Sequence, residues 1–538
     1  MKRIVIVGGG SAGWMTACFI KKKLKKSKVT LIESPKVNTI GVGESVTVHV
    51  TKYLDELGID ETHMMRETNS VYKFGNNFVD WNTGNGENEL FPFRWNINQS
   101  DMRRAMNASV TAKDGFTALK NLHSFDLQTY FAAKENNLRL TDFWLELYKK
   151  NKVGKYFAES YSGYTYFSEH EKMPALNNKH LFAQKGLQHA YHINAEKFGD
   201  YLKEHVGLPN GVKHKVAHIT DVVLEGKNVK SIKYDGGELE ADIFIDCTGF
   251  HRVLVNKLDR QWKHYDLLPA DSAIVCQVNY NNPKQDLVNH TLSIAQKQGW
   301  VFDISLYHRK GTGYIYSSDL CDEDEIMEEY TTNFLSNSKS NPRKITWDKK
   351  RLVNSAEGNV IAVGMSNGFI EPMEANLFAI ILNCTSNLTE ELRQADNVRD
   401  IDWSVYNNKI ATFYDDIADF ILVHYTLSNR PGKFWDEMRS IGVSQNHRQL
   451  LIDKYMSANN SSFGCGQGYS MFPDYMWLQL AISWNVPIDD WPTKPISDAS
   501  LNLAEKYLNA QNNHSKSCSE AFPNNYEYLR DNIFNVHS

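Results

Sequence analysis

Cysteine is scarce: seven occur in 538 residues, at 18, 247, 276, 321, 384, 465 and 518, and none forms a C-x-x-C pair. Their scatter and odd number indicate neither a disulfide framework nor a zinc site, and a reducing compartment fits best. Long apolar runs are missing too. None approaches the roughly 18 residues needed to span a bilayer, and Met1-Lys2-Arg3 leads straight into a short strand instead of a signal-peptide core. A cytoplasmic location without membrane association is expected. Positive charge is not in excess, since 59 Lys and Arg stand against 64 Asp and Glu for a net −5. Nothing general therefore favours nucleic acid as a partner, and the lysines from 21 to 28 read most simply as a solvated helix end. Repeats and low-complexity tracts are not evident. What remains is a folded composition, 42% hydrophobic and 23% charged, with an aromatic share of 12% that suits large buried interfaces or a flat-ring ligand.

Ile4-Val5-Ile6-Val7 is a β-branched run of the kind found in buried parallel strands. Gly8-Gly9-Gly10-Ser11-Ala12-Gly13 follows, then an apolar helical stretch from Trp14 to Ile20 that ends in lysines, then Val29-Thr30-Leu31-Ile32-Glu33 as a second parallel strand. This is one βαβ unit. Val222–Leu224, Ser231–Tyr234 and Glu238–Glu240 read as short strands, with Asp235-Gly236 as a hairpin turn, and lead into a buried strand at Ile243–Gly249. Tyr406, Ile410, Phe413, Ile417, Phe420, Ile421 and Tyr425 recur at helical spacing, while 457–468 reads as a loop.

Gly8-x-Gly10-x-x-Gly13 between strand and helix has the parts of a dinucleotide site. The glycines permit a tight turn and close approach of backbone to pyrophosphate, and the helix N-terminus faces its charge. Glu33 stands twenty residues past Gly13, where a carboxylate can accept hydrogen bonds from ribose hydroxyls. A glycine-rich turn that binds nothing is the bland alternative, opposed by the strand, helix and acidic residue in register. The meander that ends in Ile243–Gly249 resembles the second FAD-contacting segment of flavin monooxygenases, which tilts the choice from NAD to FAD.

Seven blocks together resemble the flavin-dependent halogenases of the tryptophan halogenase family. They are Gly8–Trp14, Gly41-Val42-Gly43-Glu44-Ser45, Tyr72-Lys73-Phe74-Gly75, Asp246–Phe250, Leu268–Ala273, Gly368–Glu374 and Asp419–Tyr425, in family order. The resemblance implies a mixed α/β (α+β) fold: a Rossmann-like FAD-binding module of the flavin monooxygenase type over 1–400, with a β-sheet substrate part and an inserted helical segment at about 95–160. A mainly helical, substrate-covering region would occupy 401–538. It also implies FAD supplied as FADH2 by a separate reductase, a halide ion, a small aromatic substrate, and hypohalous acid that travels down a tunnel to Lys73. Gly8, Gly10, Ser11, Ala12, Gly13, Glu33, Gly43, Glu44, Ser45 and Gly364 are then the expected cofactor contacts. Lys73 and Glu374 are the expected catalytic pair: a buried amine that holds the hypohalous acid, and a carboxylate that positions it and helps remove the ring proton. Taken alone, Lys73 would read as an exposed strand lysine and Glu374 as a helix-start carboxylate.

Departures from the family pattern matter for specificity. Trp300-Val301-Phe302-Asp303-Ile304-Ser305 stands where the family has W-x-W-x-I-P, and Ala375-Asn376-Leu377 where it has Ser-Thr-Gly around the halide. Leu377 lacks the conformational freedom of glycine, so bromide or iodide is expected to compete well with chloride. The altered Trp300–Ser305 segment leaves an aromatic hydroxylase, or a flavoprotein that only binds, as alternatives. Phe93, within Leu90-Phe91-Pro92-Phe93, is an expected substrate-stacking ring or ordinary core. Glu371 precedes a proline and reads as structural. His189 and His192 have the i,i+3 spacing of a helix face but no third ligand nearby, so no metal site is expected. Cys247 reads as a small buried filler.

Overall fold

The computed structural model describes residues 2–37, 43–92, 138–154, 171–173, 175–176, 179–180, 189–457, 470–506, 508–509 and 522–535. Phe93, most of the expected insertion at 95–160 and the loop at 458–468 lie outside these residues.

The β-branched run becomes the strand Arg3–Val7, buried from Ile4 onward. It pairs in parallel with Lys28–Glu33 on one side and Ile243–Asp246 on the other. The full sheet has six strands, extended by Lys213–Val216 at one edge and by Val360–Ala362 and Ala356–Glu357 at the other. Between the first two strands runs the helix Ser11–Lys23, whose residues 13–20 are all buried. Parallel strands covered by helices must be apolar on both faces, which is why these segments read as continuous hydrophobic runs. The three strands at 219–240 form a separate antiparallel sheet with the turn at Gly236, φ 103°.

A second, seven-stranded sheet is largely antiparallel and contains Thr291–Gln296, Gly299–Leu306 and, paired in parallel with the first of these, Gly75–Val79. A three-stranded sheet lies beside it. Its central strand, Ala190–Ile193, carries Glu44–Ser45 on one edge and Val71–Lys73 on the other. Only Phe74 separates the strand Val71–Lys73 from Gly75–Val79, so one short stretch of chain passes from one sheet to the next.

The periodic apolar pattern past residue 400 is the helix Ser404–Thr426, with Tyr406, Ile410, Phe413, Ile417, Phe420, Ile421 and Tyr425 all buried. It packs against the helix Asn376–Gln394. Part of the aromatic surplus is used where the helix Ser404–Thr426 meets the seven-stranded sheet. The Trp81 ring lies 5.4–6.3 Å from the rings of Trp435, Tyr425, Phe78, Trp300 and Trp484. Every tryptophan N–H in this group is satisfied: Trp81 donates to Ser293 O, Trp435 to Gln296 O, Trp484 to His424 O and Trp300 to Tyr425 Oη. Large rings enter a dry core at low cost only on that condition. Among the described residues no helix is long and apolar enough to cross a membrane.

Candidate active site

The glycine-rich turn has the shape its sequence requires. Gly8 has φ 112°, and a Cβ there would lie 2.4 Å from Cys247 O; one at Gly13 would lie 1.9 Å from Gly8 O. A Cβ at Gly10 would meet nothing within 4 Å, so the backbone there faces open space, and no side chain caps the helix at that point. Uncapped N–H groups at a helix start form an anion site. The Glu33 carboxylate reaches back to this turn, and its Oε1 accepts from His214 Nε2 at 2.6 Å. A carboxylate has about four acceptor positions, so capacity remains for ribose hydroxyls, and the residues present fit a dinucleotide. Gly364, φ 69°, packs against Ala12 of the turn, while Ser11 spends its hydroxyl on Ala195 O at 2.8 Å.

A cavity of about 140 Å³ lies between the seven-stranded sheet, the strand Glu44–Ser45 and the start of the helix Asn376–Gln394. Gly43, Glu44, Ser45, Trp300, Phe302, Glu374, Ala375, Asn376 and Leu377 all line it, although the sequence separates them by more than three hundred positions. Burial pushes the Glu44 carboxyl up to about 7.

Lys73 stands behind this lining. It is fully buried, and its Nζ donates to Ser45 Oγ at 2.7 Å and to Val46 O at 3.3 Å. The register explains the reach. Ser45 and Val71 both pair with His192 across the central strand, and Lys73, two residues on from Val71, shares its face. Burial lowers the lysine's pKa and the nearby Glu374 opposes that shift; the same burial raises Glu374, with Lys73 and Asn76 pulling it down. Asn76, three residues past Lys73 and already in the neighbouring sheet, donates from Nδ2 to Glu374 Oε2 at 2.6 Å. The stretch 73–76 therefore serves both ionisable groups.

Glu374 has φ 62° and Ala375 φ 56°, two consecutive left-handed residues without glycine. Such a turn costs about 1–3 kcal/mol per residue and persists only if its surroundings impose it. Asn376 supplies part of that constraint, because its Nδ2 donates to Glu371 O and Met373 O, both at 2.8 Å. Expected beside a halide, Asn376 does line the cavity, but its side-chain N–H groups are spent on shaping the turn. Leu377 lies in the first turn of the helix, where a glycine's freedom is not used. The loss of conformational freedom expected at this position is therefore corrected: the left-handed residues are 374 and 375.

Glu371 is buried and accepts from Tyr425 Oη at 3.0 Å, which in turn accepts from Trp300 Nε1 at 2.8 Å. It holds up the cavity wall from behind, in keeping with a structural reading. His189 and His192 are not on a helix. His192 lies in the strand Ala190–Ile193 and His189 just before it, where an i,i+3 pair faces opposite sides. His189 contacts Glu61, and His192 contacts Thr291 and Ser305. Among the described residues no group of three or more His, Cys, Asp or Glu could hold a metal ion. Cys247 is buried just past the strand Ile243–Asp246, and burial raises its thiol pKa.

The sequence profile of the tryptophan halogenase family matches residues 3–494. The chain belongs to the tryptophan halogenase family. It is by that membership a flavin-dependent halogenase, an oxidoreductase. Tryptophan 7-halogenase RebH of Lentzea aerocolonigenes is 26% identical, with 98% of each chain covered. Tryptophan 6-halogenase SttH of Streptomyces toxytricini is 27% identical over 98% of this chain and 97% of that one. The SttH crystal structure superposes with a TM-score of 0.79, at 25% identity over 98% of this chain and 100% of that chain. Xcc4156, a flavin-dependent halogenase from Xanthomonas campestris, shares the fold with a TM-score of 0.79, at 23% identity over 99% of this chain and 98% of that chain.

Several cavity residues carry no local sequence signal of their role. Asn76, Thr291 and Ser293 fall outside every recognisable block, and only the parallel pairing of Thr291 with Asn76 brings their strands together. His424 lies inside a family block, and its Nε2 stands 3.7 Å from Glu374 Oε1.

Proposed function

We propose that this halogenase attaches halogen to a small aromatic or indole-type molecule, with hypohalous acid delivered to Lys73 and the ring proton taken by Glu374. The observation that carries the reading is the convergence of these two buried groups, 301 positions apart in the chain, behind and within one cavity walled by Trp300 and Phe302. Reduced FAD, supplied by a separate reductase, provides with oxygen the oxidation of halide to hypohalous acid. Gly8, Gly10, Ser11, Ala12, Gly13, Glu33, Gly43, Glu44, Ser45 and Gly364 would hold the cofactor.

The protein's own groups do the rest. Burial makes the neutral amine of Lys73 accessible, so it can hold or accept the halogen in a dry setting. Glu374, fixed by Asn76, is a stronger base than an exposed carboxylate once ionised, and suits removal of the proton from the attacked ring carbon. The uncapped start of the helix Asn376–Gln394 offers backbone N–H groups to an anion. Leu377 makes that end of the cavity more apolar than a glycine would. A larger, less hydrated ion loses less on leaving water, so bromide or iodide is favoured over chloride.

The test combines reduced FAD, oxygen, bromide and a panel of indoles and phenols, read by mass spectrometry for the bromine isotope doublet. Brominated product that disappears in Lys73→Ala, by about three orders of magnitude in rate, is the expected result. Normal bromination by that variant would remove Lys73 from the mechanism, and a hydroxylated product independent of halide would replace halogenation with hydroxylation. Competition at equal halide concentrations checks preference, and a chloride majority overturns it.

A further inference from the structure

Beyond Lys73 the hydrogen bonds continue inward. Ser45 Oγ lies 2.8 Å from Thr291 Oγ1, Thr291 Oγ1 lies 2.9 Å from His192 Nε2, and His192 Nδ1 lies 3.0 Å from Ser305 O. All of these groups are buried. One end of the chain decides the rest. A carbonyl only accepts, so His192 Nδ1 carries the proton and donates to Ser305 O. A neutral imidazole then has a bare Nε2, which must accept from the Thr291 hydroxyl. With its single hydrogen so used, Thr291 accepts from Ser45, and Ser45, its own hydrogen spent, can only accept from Lys73. Four bonds thus run one way, from the lysine to the strand carbonyl.

We propose that His192, acting through Thr291 and Ser45, is a positioning residue that keeps Lys73 a hydrogen-bond donor toward Ser45 in both of its protonation states. The consequence, which rests on the delivery role read for Lys73, is geometric. Were Ser45 able to turn, its O–H would bond the lone pair of the neutral amine and occupy the position that has to meet hypohalous acid. The relay forbids that turn. With one N–H held by Ser45 Oγ and a second by Val46 O, the direction of the third tetrahedral position on Nζ is also set.

The alternative, a proton wire that carries the lysine's proton to His192, is disfavoured by the surroundings. Burial and the charge of Lys73 hold His192 well below its ordinary pKa, and His290 on the adjoining strand side is lowered to about 4 for the same reasons. Glu374 is the acidic group that opposes the lowering at Lys73. A proton placed on His192 would be uphill from the amine, so orientation is the role the geometry supports.

Two measurements test the relay. In the full chain labelled with 15N-histidine, with His192→Phe used to assign the signal, His192 is expected as the Nδ1-protonated tautomer across neutral pH. The Nε2-protonated tautomer would reverse the bonds and overturn the proposal, whatever Lys73 does in catalysis. With reduced FAD, oxygen and bromide, hypobromous acid escaping into solution is trapped by monochlorodimedone. Thr291→Val is expected to release about tenfold more than the parent, the scale of one buried hydrogen bond, and Thr291→Ser to behave as the parent. Equal release from all three overturns the relay; should Thr291→Val not fold, Thr291→Ala carries the same comparison. If Lys73→Ala itself releases no more acid than the parent, the delivery role fails and the tautomer result still judges the relay.

Discussion

The turn at Gly8–Gly13 and the cavity at Lys73 and Glu374 are assembled in opposite ways. The first is made chiefly by residues adjacent in sequence: strand, glycines and helix follow one another within 3–23, and Glu33 reaches back to them. The second takes Ser45, Lys73, Asn76, Thr291, Trp300 and Glu374 from six separate strands or turns. Strain differs as well. In the turn the left-handed position belongs to glycine, which occupies it freely. At 374–375 it belongs to glutamate and alanine, held by the packed protein around them. A contiguous site fails when its own residues change, while a composite one depends on its supports.

Breaking the contiguous side should have the largest effect. Gly8→Val places a branched side chain at φ 112°, against Cys247 O. A loss of at least about 3 kcal/mol is expected, with FAD binding abolished; wild-type affinity in a fluorescence titration would mean the turn is less constrained than its geometry says. Next comes a change confined to the composite side. Glu374→Gln should lower halogenation by about two orders of magnitude and leave FAD affinity within about twofold. Because burial raises the pKa of Glu374, the ionised base is lost as pH falls through a higher range than that of an exposed glutamate. The acid limb of the pH–rate profile should therefore be displaced upward in the parent and vanish in Glu374→Gln. An unshifted limb that survives would assign it to another group. Smallest is a change to a support. Trp300→Phe removes the donor to Tyr425 and so weakens the hold on Glu371, at about 1–3 kcal/mol by denaturant titration. A neutral result would show that the wall stands without it.

The two sites were not equally legible in the chain. Gly8, Gly10, Gly13 and Glu33 could be read directly, since their chemistry is expressed by spacing along one βαβ unit. The helix Ser404–Thr426 was legible for a similar reason: burial of one face repeats with the helical period. At the cavity, Lys73 and Glu374 were found only through the resemblance of their blocks, because a lone lysine in a strand says nothing of its burial. Asn76, Thr291 and the part played by His192 were not found at all. The i,i+3 spacing of the histidines misled, because the same spacing shares a face in a helix and divides it in a strand.

By itself, then, the sequence determined the parallel sheet, the glycine turn and the apolar helices, all set by local periodicity and backbone freedom. Tertiary structure decided the ionisation of Lys73 and Glu374, the left-handed turn at 374–375 and the direction of the bonds from Lys73 to His192. Those properties belong to burial and to partners that are distant in the chain, and burial exists only once the sheets have packed.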